Sequence, residues 1–332
     1  MINVGFVGLG NMGMGQVGSF AQVRGCKIVA GADPSKAARA RFAEKYPGRS
    51  TYASHKELLA DASVDAVVIV APTKLHKQIA IDCMKAGRHV LSEKPMARTV
   101  RDCRAMINAS EKTGKLLMVA HCRRYDADWG CFGDIVRKGM LGGPILWRHC
   151  MAGAGPNTGW FMDEELGGGP LIDGAVHDQD FANYLFGKPE FVQASAIKMT
   201  KHTAIDTASA VIHYESGDQL MLSWSWGVGH GSHMQDAIGP KATAVFRPQV
   251  NDPKIDPSVY ACYQVTDLKT QKVRIVKKKR NKMYVEQAKH FIACIDGKAK
   301  CLSSGEESIK AVASAEALLK AAAKNGSAKI KW

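Results

Sequence analysis

Ile2-Asn3-Val4-Gly5-Phe6-Val7-Gly8-Leu9-Gly10-Asn11-Met12-Gly13 decides the fold. The run from Ile2 to Val7 is short and apolar, and it reads as a buried strand. It stops at a G-x-G-x-x-G in which each glycine has its own task. Gly8 permits the tight turn out of the strand. Gly10, lacking a side chain, lets a pyrophosphate approach the backbone. Gly13 lets the next helix pack close to the strand, and that helix offers free N–H groups and a positive dipole end to a phosphate. Asn11 and Met12 complete the loop. A helix-compatible stretch follows from Gln16 to Val23, then a second strand, Lys27 to Ala32, ending at Asp33. That acid lies twenty residues past Gly13, where a carboxylate holds the ribose hydroxyls of NAD.

Outward from this loop the first third of the chain alternates strands (2–8, 27–32, 65–71, 88–92 and 115–120) with helices (12–24, 35–46, 74–86 and 99–113). Such alternation predicts a parallel sheet covered on both faces, a doubly wound Rossmann domain. The β-branched run Asp65 to Ala71 ends at Pro72-Thr73, where strand carboxyl ends face a ligand. The next strand ends in Glu93-Lys94-Pro95, which sets two charged side chains at the same edge and allows a cis peptide before Pro95. His76 opens a helix beside this edge and is expected near the nicotinamide half.

Beyond Ala120 the pattern changes. A helix is expected over Tyr125 to Lys138, and strands over 145–151, 191–199, 209–214, 220–226 and 242–246, with helices over 283–295 and 306–324. Strands without intervening helices predict an antiparallel or mixed sheet. The expected boundary puts a dinucleotide-binding domain at 1–121 and a substrate-binding and oligomerisation domain at 122–332.

With 332 residues, 46% hydrophobic and 23% charged, the chain has the composition of a globular protein of two domains. No stretch has the apolar length of a membrane span, and, provided the sequence is not a trimmed mature form, no signal peptide is expected. The nine scattered cysteines include no C-x-x-C and fit reduced thiols in a cytoplasm, with neither a disulfide framework nor a metal site expected. The net charge of +14 is densest at Lys277-Lys278-Lys279-Arg280. No aromatic residues interleave there, so a solvated loop is expected rather than a nucleic-acid surface, with steering of an anionic sugar or partner as the alternative.

The second informative stretch is Gly167-Gly168-Gly169-Pro170-Leu171-Ile172-Asp173-Gly174-Ala175-Val176-His177-Asp178. On one continuous helix Asp173 and His177, four apart, share a face. A carboxylate beside an imidazole orients the ring and favours its protonated form, which suits a general base near neutral pH. Spacing alone equally allows surface decoration.

Together these stretches resemble the Gfo/Idh/MocA oxidoreductase family. The resemblance rests on Gly8 to Gly13 with Ala32-Asp33-Pro34, on Ala71-Pro72-Thr73-Lys74-Leu75-His76, on Gly87 to Pro95, and on the glycine run leading to Asp173, His177 and Asp178. Arg123-Arg124-Tyr125-Asp126 is most similar to the inositol dehydrogenase branch. The resemblance implies a Rossmann domain followed by an α/β domain with an open, mostly antiparallel sheet, one face of which makes subunit contacts in a homodimer or homotetramer. It implies a sugar or cyclitol substrate, with Lys94, Asp173 and His177 at the catalytic positions. Gly8, Gly10, Asn11, Met12, Gly13, Asp33, Ala71, Pro72, Thr73, His76, Glu93 and Lys94 would hold the cofactor. Asn157, Trp160, Arg123, His230 and His233 are candidate substrate contacts; ordinary loop residues, a structural ion pair for Arg123, and solvent-facing loop histidines are the alternatives. Asp33 favours NAD, while Ser35, Lys36 and Arg39 leave NADP open. Besides a dehydrogenase, the sequence allows an enzyme that recycles a tightly held nucleotide, and a non-catalytic dinucleotide sensor.

Overall fold

The computed structural model describes residues 1–60, 63–156, 159–246 and 255–332. The chain forms two compact units, Met1–Cys122 with Met283–Ile309, and Arg123–Lys282 with Lys310–Trp332.

In the first unit the strands are β1 (Ile2–Val7), β2 (Cys26–Ala32), β3 (Ser50–Tyr52), β4 (Ala66–Ile69), β5 (His89–Ser92) and β6 (Leu117–Val119). The helices are α1 (Asn11–Phe20), α2 (Lys36–Lys45), α3 (His55–Leu59), α4 (Thr73–Lys85) and α5 (Val100–Thr113). All six strands are parallel, in the order β3-β2-β1-β4-β5-β6. This is the doubly wound Rossmann order. All four residues of β4 are buried, as a strand covered on both faces must be. Helix limits follow local chemistry. The Thr99 hydroxyl accepts from the Asp102 N–H (3.1 Å) to start α5, and Gly114, at φ 64°, ends it.

The second unit carries α6 (Ala127–Arg137), β7 (Leu146–Ala152), α7 (Pro170–Asp173) and α8 (Val176–Phe186). Then follow β8 (Pro189–Ile197), β9 (Thr207–Tyr214), β10 (Gln219–Ser225), β11 (Ser232–Ile238), β12 (Ala242–Phe246), β13 (Tyr260–Asp267) and β14 (Val273–Lys279). The chain closes with α9 (Met283–Ile295), α10 (Gly305–Ala322) and β15 (Ser327–Lys329). The nine strands run β14-β13-β12-β11-β7-β10-β9-β8-β15, antiparallel except for the β7–β10 pair. One face is an aromatic core. Trp147 of β7 meets Trp129 of α6 edge-on (ring centres 5.5 Å apart) and Phe181 of α8 (6.1 Å), while Phe132 stacks on Tyr263 (5.8 Å). Each such ring contributes about 2–3 kcal/mol of transfer free energy. On the other face Met221, Met234, Ile238 and Val245 are exposed, and the cross-strand pair Arg148–Asp236 (Nε–Oδ1 2.7 Å) bridges β7 and β11.

Two expectations change. The lysine run is no loop: Lys277, Lys278 and Lys279 lie on β14 at the end of the sheet order. Lys278 pairs with Asp134 (2.9 Å), Arg280 with Asp128 (2.8 Å), and Lys277 lies over the Tyr260 ring (4.8 Å). Charge on an edge strand discourages pairing with another chain. The chain also returns to the first unit after residue 282. Phe291 of α9 meets Phe20 of α1 edge-on (6.3 Å), and Ser303 accepts the Val119 N–H (2.9 Å) beside β6. A single division at residue 121/122 does not contain that return.

Candidate active site

The glycine loop leaves β1 at the point where the strand order reverses, between β1 and β4, so the connections diverge and open a crevice. Gly8 has φ +96° and donates its N–H to Ala32 O (2.8 Å). A Cβ on Gly13 would lie 2.1 Å from Gly8 O, so helix and loop touch backbone to backbone. A Cβ on Gly10 would meet nothing within 4 Å. The loop is therefore closed by protein on one side and open at Gly10. Helix α1 starts at that opening with no side-chain cap and no acidic residue in its first turn, and Asn11 and Met12 are exposed. The Asp33 carboxylate is held at the loop, accepting the Leu9 N–H through Oδ2 and the Ser35 N–H through Oδ1 (both 2.8 Å). This cradle, open at one glycine and flanked by a fixed carboxylate, fits a dinucleotide. Arg39 does not reach outward; its Nη1 donates to the backbone oxygens of Asp33 (2.6 Å) and Pro34 (3.1 Å). Arg41 donates to Leu9 O (2.7 Å), a contact that no local motif announced.

At the next strand ends, Thr73 is buried at the start of α4 after Ala71-Pro72. His76 is buried, with Nε2 2.7 Å from Ala71 O and Nδ1 3.0 Å from Pro95 O. It pins the turn after β4 to the turn after β5. Glu93 is a brace as well: Oε1 accepts from Gln16 Nε2 of α1 (2.7 Å), and Oε2 from the Lys94 N–H (3.1 Å). The Lys94–Pro95 peptide is cis, and Lys94 is half-buried at the end of β5.

In the second unit, Asp173 and His177 do not share one continuous helix. Asp173 ends α7, and His177 is the second residue of α8. Between them the Ala175 N–H reaches back to Pro170 O (2.7 Å), a wide turn, and His177 N–H to Gly174 O (3.3 Å). At this turn a Cβ on Gly174 would lie 2.4 Å from the Trp224 ring, so only glycine fits there. Asp173 is 5% exposed and His177 half-buried. Arg123 takes the structural option, pairing with Asp126 (2.9 Å) with its guanidinium over Trp129 (5.4 Å). Its neighbour Arg124 forms a buried two-pronged pair with Asp180 of α8 (2.8 and 2.7 Å), a partner that the sequence does not announce.

Trp160 lies in a 3₁₀ turn (Gly159–Met162), stacked on Phe161, which meets Trp226 edge-on. Asn157 lies outside the described residues. His230 is exposed between β10 and β11. His233 is not a loop residue; it belongs to β11, and its Nε2 is 2.8 Å from Nε2 of His149 on β7. Among the described residues, no group of three or more His, Cys, Asp or Glu side chains is placed to hold a metal ion.

Residues 2–121 match the family model described as "Oxidoreductase family, NAD-binding Rossmann fold", and residues 133–245 match the GFO/IDH/MocA C-terminal domain. The chain belongs to the Gfo/Idh/MocA oxidoreductase family. Its first unit carries the family's NAD-binding Rossmann fold. Among curated relatives, myo-inositol 2-dehydrogenase of Thermotoga maritima is 27% identical over 222 residues, 65% of this chain and 66% of that protein. Inositol 2-dehydrogenase 1 of Saccharopolyspora erythraea is 30% identical over 230 residues, 68% and 65% of the two chains. D-glucoside 3-dehydrogenase of Escherichia coli is 31% identical over 181 residues, 53% and 51%. The matched part thus spans just under two thirds of the inositol dehydrogenases and about half of the glucoside enzyme. Among solved structures, levoglucosan dehydrogenase in complex with NADH superposes with a TM-score of 0.86 at 19% identity, covering 99% of both chains. At that identity the likeness is one of fold.

Proposed function

We propose that this Gfo/Idh/MocA chain is an NAD-dependent dehydrogenase acting on a secondary alcohol of a cyclitol or pyranose sugar. The observation that carries the reading is the residue set. Lys94 stands at the end of β5 in the NAD-binding unit, and Asp173 with His177 flanks a turn that Trp224 packs in place in the other. The names of the inositol and glucoside dehydrogenase relatives support the substrate class.

When bound, the nicotinamide supplies the hydride acceptor, or the donor in reverse. The chain's own residues manage the proton. His177 takes it from the substrate hydroxyl onto a ring nitrogen. Asp173 orients that ring and favours its cationic form. The Lys94 ammonium donates a hydrogen bond to the reacting oxygen, stabilising the charge that develops there. Preference for NAD over NADP follows from Asp33, whose carboxylate repels a 2′-phosphate, and from Arg39, whose guanidinium is spent on backbone oxygens.

The exposed apolar residues on the outer face of the nine-stranded sheet support a homo-oligomer formed through that face, read by sedimentation. The nine free cysteines support a cytoplasmic location. The test of the function is a spectrophotometric screen for NAD+ reduction with inositols, aldoses, glucosides and their amino and acidic derivatives. NADH formation with a member of the cyclitol or pyranose class is expected. Nucleotide binding without turnover across the whole panel would sink the reading.

A further inference from the structure

The cysteines divide by environment. Cys83, Cys103, Cys122, Cys131 and Cys262 are buried. Burial pushes the thiols of Cys83 and Cys131 up to about 12, which keeps them protonated and inert. Cys294 and Cys301 differ. Both are half-buried, and they stand together where α9 of the first unit ends.

A tight return of the chain brings them together. The Gly297 N–H reaches Cys294 O (3.1 Å) and the Lys298 N–H reaches Ala293 O (2.8 Å), with Gly297 at φ +70°. This left-handed stop closes α9 and turns the chain back along it. At Leu302 the returning backbone meets the helix again, and its N–H donates to His290 Nε2 (3.1 Å). His290 lies one turn before Cys294, and the same Nε2 is 3.3 Å from Cys294 Sγ. A backbone N–H only donates, so Nε2 is an acceptor and the Cys294 S–H points at it as well. Burial lowers the His290 pKa, which keeps the ring neutral at pH 7. One imidazole nitrogen thus holds Cys294 and the residue after Cys301, and the Cys301 thiol hydrogen-bonds Cys294.

Each side of this meeting is anchored to a different part of the unit. Phe291 of α9 packs edge-on against Phe20 of α1. On the other side, Ser303 O accepts the Val119 N–H (2.9 Å) and Ser303 Oγ donates to Val119 O (2.7 Å), fastening the segment to β6.

We propose that Cys294 and Cys301 form a reversible thiol–disulfide site which, when oxidised, ties α9 to the segment beside β6. A low-molecular-weight disulfide, such as oxidised glutathione, serves as the two-electron oxidant. The Cys294 thiolate, accepting the Cys301 S–H, attacks one glutathione sulfur. The glutathione S–S bond breaks, and one glutathione leaves as thiolate. Cys301, as thiolate, then attacks Cys294 Sγ in the mixed disulfide, so that the internal S–S bond forms and the second glutathione leaves. Two cysteines are oxidised, one glutathione disulfide is reduced to two thiols, and the two cysteine protons end on those thiols. Burial pushes the Cys294 thiol up, so the exchange is slow at neutral pH and quickens as pH rises.

The test is a glutathione redox titration of the full chain, brought to equilibrium at about pH 8, with remaining thiols alkylated and pairings read by peptide mass spectrometry. An internal Cys294–Cys301 disulfide that dithiothreitol reverses is expected. Glutathione retained on either sulfur of the wild-type protein, or both thiols alkylated across the whole titration, overturns the proposal. In Cys301→Ser the glutathione adduct on Cys294 should persist, its resolving thiol being gone; an unmodified Cys294 in that variant overturns its assignment as the attacking thiol. The oxidised wild type should melt about 5 °C above the reduced protein, and the same treatment should not raise the melting temperature of Cys301→Ser. Equal midpoints for the oxidised and reduced wild type remove the tether.

Discussion

The glycine loop of the first unit and the Gly174 turn of the second both depend on missing Cβ atoms, for opposite reasons. At Gly10 the space a Cβ would take is empty to 4 Å; at Gly174 it is filled by the Trp224 ring and by Pro170 O (2.8 Å). The first keeps room for something that is not protein. The second lets protein pack against the break between Asp173 and His177. Ligand space and packing space look alike as letters, and only the neighbours tell them apart.

This contrast can be broken experimentally. The largest effect is expected on the packed side. Arg124→Ala strands the buried Asp180 carboxylate on the helix that carries His177, and should cost about 3–5 kcal/mol in denaturant unfolding. Next, Gly174→Ala forces a methyl into the Trp224 ring and should cost about 1–3 kcal/mol, with NAD+ affinity by calorimetry unchanged. Gly10→Ala should behave in reverse: melting temperature within about one degree of wild type, NAD+ binding weakened about tenfold. Equal loss of stability in both glycine variants would erase the distinction.

The smallest effect concerns Asp206 before β9, whose neighbour Ile205 O would lie 2.8 Å from a Cβ on Gly169. Burial pushes the Asp206 carboxyl up, but hydrogen bonds from the Met199 N–H (3.0 Å) and from the Thr200 N–H and hydroxyl (2.6 and 2.7 Å) outweigh it and hold the pKa below the usual carboxylate value. A depressed folded pKa stabilises above the unfolded value of about 3.9 and stops doing so as pH falls through the folded one. Asp206→Asn should therefore be modestly less stable than wild type at neutral pH, and the gap should close in acid.

The same contrast explains what the letters disclosed. The Rossmann unit was legible because its evidence is contiguous: an apolar run, a glycine fingerprint, an acid twenty residues on, and helices of regular period. Its exceptions are β3 (Ser50–Tyr52) and α3 (His55–Leu59), three and five residues long and too short to show a period. In the second unit β14 hid behind its lysines, and β11, Ser-His-Met-Gln-Asp-Ala-Ile, behind polar letters. The Asp173–His177 spacing was visible, but the break between them was not, and Trp224, which packs against Gly174 there, lies fifty residues away. The Arg124–Asp180 pair and the His149–His233 contact join residues 56 and 84 apart, and exist only once the sheet register is known.

The central claim is that His177 manages the proton in a reaction whose hydride goes to NAD. Replacing His177 with Ala tests it most directly, with turnover of an oxidised polyol and NAD+ affinity measured on the same preparation. A fall in kcat/KM of about 10²–10⁴ with the NAD+ dissociation constant unchanged is expected. A variant that turns over at the wild-type rate would contradict it.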